Sequence, residues 1–302
     1  MSQIATIATS ALLVELNIRM WTGRKRDKTT TAEVTQRAQA SSSKAASVIK
    51  NLLSDDTDLD KIRSYAQDTR LYVQKHTFAW NDAGARLLPT GLVIDVTSEL
   101  EARETAFNRL VQVFLQSYNT KISAAAFKLG SLFNRNEYPS IAEIERKFSM
   151  GFKVFPVPTA GDFRVDIQAQ TAEFLREKFQ KDAEARVAEM MREPWERIYA
   201  QLTHVRERME TALAYNPDAE DAGRAPRLFQ SMIDNALDLS RLLEKMNVTN
   251  DPQLTDCVLR IRRLFSDVNI NVVREDKDKQ GELKKSVEDI LGAFDFGGFD
   301  DE

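Results

Sequence analysis

The sequence predicts a mainly α-helical protein, built as a helical bundle with a long antiparallel coiled-coil arm and a small β-hairpin or sheet element. Only 11 Gly and 8 Pro occur among 302 residues, which favours long uninterrupted helices over a β fold with many turns. Ser98 with Glu101 and Ser140 with Glu143 have the spacing of capping boxes and mark two helix starts. Apolar residues spaced three or four apart run through residues 187–212 and predict the arm.

The predicted β element combines two regions of the chain. Residues 12–20 alternate apolar and polar side chains with a period of two, which is typical of a strand. Residues 151–167 contain apolar runs on both sides of Pro156 and Pro158, which predicts a β-hairpin. Because an isolated hairpin is only marginally stable, we expect it to pack on helices or to pair with the strand at 12–20.

Helical patterns fill most of the remaining chain. Aspartates within residues 55–60 are expected to cap a helix that begins near residue 59. Helices are expected at residues 32–53, 59–80, 98–130, 140–148, 227–247 and 252–270, with a loop at 84–91.

The longest helical pattern covers residues 169–215. A proline inside a helix costs about 3 kcal/mol, so we expect a kink at Pro194, or two helices that meet with Pro194 in the first turn of the second. A seam of this length needs a partner, either the helix at 98–130 or a second copy of the chain, and we expect a homo-oligomer. The seam consists of Val187, Met191, Trp195, Ile198, Leu202, Val205, Met209 and Ala212.

Three regions follow from these patterns. Residues 1–215 form a helical and coiled-coil body with the β element, and residues 216–272 form a pair of helices behind a polar linker. Residues 273–302 form a charged linker and an acidic, aromatic tail. Within this last region, the dense charge of residues 274–285 predicts a solvated tether.

Composition argues against several classes of protein. A net charge of −4 is unlike that of a protein that is basic over its whole surface. Cys257 is the single cysteine, so no internal disulfide can form and a reducing compartment is expected. No apolar run reaches the ~18 residues that span a bilayer, so we expect no membrane insertion. The predicted location is the cytoplasm, or the host cytoplasm if a phage encodes the protein.

Catalytic motifs are missing from the sequence. It has no Gly-rich phosphate loop, and His76 and His204 with one cysteine do not make a credible zinc site. Asp162 and Asp166 share one face of a predicted strand, which suits a magnesium-dependent nuclease. Such a site also needs a Glu and a Lys, where Ile and Gln stand at residues 167–168. We predict a protein that is not an enzyme, with no cofactor and no metal, and keep the nuclease as a minor alternative.

A basic stretch follows the first predicted strand. Arg24, Lys25, Arg26 and Lys28 place four cations next to a turn, where they are suited to grip phosphates. Trp21, just before them, is suited to stack on a base, and single-stranded DNA is the candidate ligand. The alternative is that these cations are merely the solvated residues of a loop after a strand, and that Trp21 packs in the core.

The C-terminal tip combines three Phe with acidic residues and two adjacent Gly. Apolar side chains on an unstructured tail suit a partner's apolar groove, and the acids steer the tail toward a basic rim. The tip resembles the acidic tails of single-stranded DNA-binding proteins of bacteria and phages, which recruit replication and repair partners. Those tails end on or next to a Phe, whereas this one ends in three acids, and a merely solubilising tail is the alternative. The expected partner-binding residues are Phe294, Asp295, Phe296, Phe299, Asp300, Asp301 and Glu302.

A second resemblance concerns the N-terminal two thirds of the chain. Residues 16–25 read LNIRMWTGRK, and residues 129–130, 138–140 and 155–158 add further short motifs. These motifs resemble an uncharacterised domain family encoded by phages, plasmids and other mobile elements, over about residues 10–215. The resemblance implies a mobile-element origin, with genes for MoxR-like ATPases and von Willebrand-type proteins as neighbours. It carries no catalytic residue.

The predicted function is that of a non-enzymatic accessory protein in DNA replication or recombination. It would dock a partner through the acidic, Phe-containing tip and contact nucleic acid through the basic turn. The alternative is a coiled-coil adaptor or assembly factor for an AAA-type ATPase, or a structural protein, that binds no DNA.

Overall fold

The computed structural model describes residues 3–42, 44–81, 83–158, 169–216 and 226–296. The predicted fold class is confirmed, because the described chain is mainly α-helical with small antiparallel β elements. The helices are α1 (Gln3–Ser10), α2 (Lys28–Arg37), α3 (Thr57–His76), α4 (Val93–Leu129), α5 (Ile141–Glu145), α6 (Ala169–Met190), α7 (Arg192–Ala214), α8 (Gln230–Met246), α9 (Pro252–Ser266), α10 (Ile270–Glu275) and α11 (Lys277–Ala293). The strands are β1 (Ala11–Arg19), β2 (Arg24–Asp27), β3 (Val48–Asn51), β4 (Phe78–Ala79), β5 (Ala85–Pro89) and β6 (Ser149–Pro156).

Four strands form one sheet in the order β4-β5-β1-β6. The strand predicted at 12–20 is β1, and β6 lies beside it, so the pairing expected for the first part of the predicted hairpin is confirmed. The remainder of that hairpin, residues 159–167, lies outside the described residues. The loop predicted at 84–91 is wrong, since β5 occupies residues 85–89. Its side chains Leu87 and Leu88 are fully buried, and this burial outweighs the local turn signals.

The helix predicted at 32–53 is also wrong over most of its length. Among the described residues of this range, only those of α2 are helical. After the chain passes Gln39, which has a positive φ of 49°, it returns as β3 and pairs antiparallel with β2. The neighbouring β-branched residues Val48 and Ile49 suit a strand better than a helix. The basic stretch is therefore part of a two-stranded ribbon and not a loop.

The chain divides into two compact units of opposite net charge. The basic unit comprises residues 15–75 and 95–153, and it carries 20 Lys and Arg against 15 Asp and Glu, a net charge of +5. The acidic unit comprises residues 1–14, 76–94 and 154–302, with 22 Lys and Arg against 31 Asp and Glu, a net charge of −9. The near-neutral total of the whole chain therefore conceals a strong segregation of charge.

The core of the basic unit is formed by one face of α4 against α3. On α4, Phe107, Phe114 and Tyr118 are fully buried, and on α3 Leu59 and Ile62 are buried in the same cluster. These positions are three, four or seven apart, the spacing that aligns side chains on one helix face. The predicted capping box at α5 is confirmed: the Ser140 hydroxyl accepts from the Glu143 N–H, and the Glu143 carboxylate accepts from the Ser140 N–H. The helix start predicted at Ser98 is wrong, since α4 begins at Val93.

In the acidic unit, α7 packs against α11 and α8, while α8 packs against α9. The seam residues Ile198, Leu202, Val205 and Met209 are fully buried. They form one face of a helical bundle within the acidic unit, where α11 and α8 are the neighbouring helices. Pro194 lies in the first turn of α7, directly after α6 ends, which confirms the second of the two predicted arrangements.

Residues 274–285 do not form the predicted tether. They belong to α10 and α11, and α11 buries Leu283, Val287 and Ile290. These apolar residues recur at helical spacing between the charges, so the charges occupy the solvent face of an amphipathic helix. Among the helices that the structure describes, none is long and apolar enough to cross a membrane.

Candidate functional site

Trp21 is part of the core of the basic unit. Its ring centroid lies 6.4 Å from that of Phe114 and 6.1 Å from that of Tyr118, the latter in an edge-on geometry. Only 9% of the residue is exposed. The ring is therefore not placed to stack on a base, and the structure agrees with the alternative in which Trp21 closes the core.

The basic residues next to Trp21 are all exposed. Arg24, Lys25 and Arg26 lie on β2, and Lys28 is the first residue of α2. Lys25 Nζ lies 3.8 Å from Glu137 Oε1. Within the described part of the chain, the side chains of Arg24, Arg26 and Lys28 form no ion pair. Three of the four predicted cations thus remain available to an anionic ligand.

A groove of about 880 Å³ connects this stretch with a segment distant in sequence. One part of its lining comes from residues 25–33 together with Lys50, and the other from residues 131–137. The charged residues of the lining are Lys25, Arg26, Lys28, Lys50, Arg135, Asp27, Glu33 and Glu137. Cations outnumber acids in this lining, and the groove lies wholly within the basic unit.

Lys50 holds the floor of the groove together. Its Nζ lies 2.6 Å from Glu137 Oε2 and 3.8 Å from Asp27 Oδ2, and it donates to the Leu132 carbonyl at 2.7 Å. The Lys50 side chain is 7% exposed and is neutralised by these carboxylates. Sequence reasoning missed Lys50, because no local pattern distinguishes it from a surface lysine.

Asp27 has two roles at the edge of the groove. Its side chain accepts from the Thr30 N–H and so caps the first turn of α2. This backbone hydrogen bond, assisted by the charge of Lys50, lowers the pKa of Asp27 below its ordinary value. Asp27 is therefore ionised at neutral pH and reduces the positive charge of the groove.

The segment on the other side of the groove begins where α4 ends. Gly130 has a positive φ of 51°, which a side chain would disfavour, and it turns the chain out of the helix. Phe133 follows in the groove lining, with its ring centroid 5.4 Å from that of Tyr138. The Tyr138 hydroxyl donates to the Leu52 carbonyl at 2.7 Å, and Arg135 Nη1 donates to the Tyr138 carbonyl at 3.1 Å. These contacts fix the segment to the body of the unit.

The family model described as "Protein of unknown function (DUF3150)" matches residues 9–214. The chain belongs to the DUF3150 family. The predicted resemblance to an uncharacterised domain family over about residues 10–215 is therefore confirmed. Comparison with curated proteins and with solved structures gave no match. The groove lies inside the region that this chain shares with other DUF3150 members, whereas α8 to α11 and the tip lie beyond it.

The described part of the tip of this DUF3150 protein packs on α7. Phe296 is 5% exposed, and its ring centroid lies 5.6 Å from those of Trp195 and Tyr199 on α7. The Phe294 ring lies 5.8 Å from Trp195, with the Arg260 guanidinium 5.1 Å from its centroid. Two of the three Phe residues that were predicted to bind a partner therefore pack on the protein itself. Asp295 is exposed, and Phe299, Asp300, Asp301 and Glu302 lie outside the described residues.

The residues weighed for catalysis are not brought together in the described chain. His204 is exposed on α7, and Asp162 and Asp166 lie outside the described residues. Cys257 is buried in α9, and this burial raises the pKa of its thiol to about 12, so the reactive thiolate is scarce at neutral pH. Among the residues that the structure describes, no group of three or more His, Cys, Asp or Glu is arranged to hold a metal ion.

Proposed function

We propose that this DUF3150 protein is a non-enzymatic accessory protein whose basic unit binds the phosphate backbone of a nucleic acid along the groove. The observation that carries this proposal is the segregation of charge, with +5 on the unit that holds the groove and −9 on the other. Protein surfaces that bind nucleic acid are marked by such a local excess of cations, even where the whole chain is acidic.

Arg26 and Lys28 are the residues we assign to phosphate contact. Both are exposed, both line the groove, and neither forms an ion pair with a described residue. Lys50 and Lys25 contribute less, because Glu137 already pairs with both. Each phosphate that a cation neutralises releases counterions, so affinity should fall steeply with salt.

Binding to a fluorescent oligo-dT of about 15 nucleotides, followed by anisotropy at low and rising salt, tests this assignment. The double variant Arg26→Ala, Lys28→Ala should weaken binding by about tenfold or more at low salt and reduce the salt slope by about 1.4. The matched control Arg109→Ala, Lys147→Ala removes two exposed cations of the same unit that do not line the groove. It should bind nearly as the unmodified protein does. An absence of binding at low salt, or equal losses in both double variants, would contradict the proposal.

DNA replication or recombination is the process we propose, with the protein docking a protein partner. The support is the resemblance of the tip to the tails of single-stranded DNA-binding proteins. Phe294 and Phe296 pack on α7. We therefore assign the docking role to residues 299–302, which are Phe299, Asp300, Asp301 and Glu302. Pull-downs with the full chain and with a chain ending at Phe296 should recover different partners, and identical partner sets would dispose of this role.

The adaptor of an AAA-type ATPase is the second candidate, and the −9 charge of the acidic unit favours it, since such a surface repels nucleic acid. Two results together would favour the adaptor over the nucleic-acid-binding protein. Oligonucleotides would not bind, and the pull-down would recover an ATPase whose binding requires the acidic unit.

A further inference from the structure

We infer that the groove of the basic unit takes single-stranded rather than duplex nucleic acid, and that Phe133 is the surface on which an unpaired base stacks. The inference rests on the proposed function, because it presupposes that Arg26 and Lys28 contact phosphates. The sequence analysis predicted that Trp21 stacks on a base, but the Trp21 ring is in the core. We assign this stacking contact to Phe133 instead.

Phe133 lies in the groove lining beside Leu132 and Asn134 and is half-buried. Its inner side packs against the core of the unit, where its ring is 5.4 Å from Tyr138 and tilted by 34°. Tyr138 is itself 4% exposed and is anchored through its hydroxyl to the Leu52 carbonyl. The Phe133 ring is thus supported by the core and is also part of the groove lining.

A supported ring of this kind is suited to stacking. Because the core already restricts the ring, little side-chain entropy is lost when a base packs on it. A groove that combines cations for the backbone with an aromatic ring for the bases is the arrangement by which proteins bind single strands without reading sequence. Here the cations come from residues 25–28 and the ring from residues 131–137.

The same geometry discriminates against a duplex. In a duplex each base is stacked between its neighbours, so its face is not accessible unless the base is flipped out of the helix, which costs free energy. The cations Arg26 and Lys28 attract the phosphates of either form. Only an unpaired base gains the contact with Phe133, so the ring should add affinity for single strands alone.

Three probes of equal length distinguish backbone contact from base stacking: an oligo-dT, an abasic oligonucleotide with the same number of phosphates, and a duplex. The substitution Phe133→Leu keeps an apolar side chain against Tyr138 but removes the aromatic face, and Phe133→Tyr restores it. Phe127→Leu is the matched control, since Phe127 is 90% exposed on α4 of the same unit and does not line the groove.

The unmodified protein should bind oligo-dT about fivefold or more tightly than the abasic strand, the ratio expected for one stacked base. In Phe133→Leu, oligo-dT should bind no more tightly than the abasic strand, while binding of the abasic strand and of the duplex should be unchanged. Phe133→Tyr should restore the preference for oligo-dT, and Phe127→Leu should have no effect. Equal affinity of the unmodified protein for oligo-dT and abasic strand, or an unchanged ratio in Phe133→Leu, would overturn the stacking role and leave phosphate binding intact. If neither probe bound at low salt, the proposed function would fall together with this inference.

Discussion

The ammonium nitrogen of Lys50 lies 2.6 Å from Oε2 of Glu137, and the two side chains are only 7% and 14% exposed. Lys50 belongs to β3, and Glu137 belongs to the segment that follows α4. The ion pair therefore joins the two parts of the chain that line the groove. It is one of the contacts that hold the two sides of the groove together, with the bonds from Lys50 to the Leu132 carbonyl and from Tyr138 to the Leu52 carbonyl.

Replacing Lys50 with Met should destabilise the basic unit by about 3 kcal/mol, because it leaves the Glu137 carboxylate buried without its closest cation. Urea unfolding followed by circular dichroism measures this change. Lys61→Met is the matched control: Lys61 is 65% exposed and pairs only loosely with Asp58, at 3.5 Å. It should change the free energy of unfolding by less than about 0.5 kcal/mol. Equal effects of the two substitutions would show that Lys50 is not buried in solution.

Acid should weaken the basic unit through the cluster at the start of α3. Lys121 Nζ lies 2.5 Å from Asp56 Oδ2 and 2.8 Å from Asp58 Oδ2. The hydrogen bond from Lys121 lowers the pKa of Asp58 below its ordinary value of 3.8, although burial opposes the shift. Since the pKa is lower in the folded than in the unfolded chain, this stabilisation is present above about pH 3.8 and is lost as the pH falls below it.

Urea midpoints measured at pH 6 and at about pH 3 test the role of Asp58. The substitution Asp58→Asn should lower the midpoint at pH 6 and make its fall toward pH 3 shallower. Asp60→Asn, at a neighbouring residue whose side chain is 61% exposed, should leave the fall nearly unchanged. A fall as steep in Asp58→Asn as in the unmodified protein would mean that other carboxylates govern the acid response.

The packing of the tip on α7 predicts a stability effect that a free tail would not show. Phe296→Ala should destabilise the acidic unit by about 2 kcal/mol or more, because it removes a buried ring from between Trp195 and Tyr199. The fluorescence of Trp195 should change as well, since its neighbour is lost. Phe174→Ala, at a ring that is 63% exposed on α6, serves as the control and should be nearly neutral. An unaltered free energy of unfolding in Phe296→Ala would indicate that the tip is undocked in solution.

Two glycines with positive φ offer a comparison of strain and packing. At Gly130, with φ of 51°, an added Cβ would meet no atom within 4 Å. Gly130→Ala should therefore cost about 1 kcal/mol, from backbone strain alone. At Gly23, with φ of 62°, a Cβ would lie 3.0 Å from Leu59 Cδ2. Gly23→Ala should cost clearly more, and equal losses in urea unfolding would show that Leu59 yields without a penalty.

Several elements could be derived from the sequence because neighbouring residues determine them. The Ser140 capping box, the alternation that makes β1 and the break before Pro194 depend on contacts within a few residues. Helical spacing on α7 likewise specified which side chains are buried. The same local reasoning failed at β3 and β5, where pairing and burial outweigh a helix-compatible or turn-rich composition.

The candidate site was decided by tertiary structure. The sequence located the cations at 24–28, but it could not show that Trp21 turns into the core, nor that residues 131–137 bring Phe133 to the same groove. Those placements depend on the pairing of β2 with β3 and on the Lys50–Glu137 contact, which join residues far apart in the chain. Local patterns carry no information about such contacts, because their energy exists only after the two segments have met.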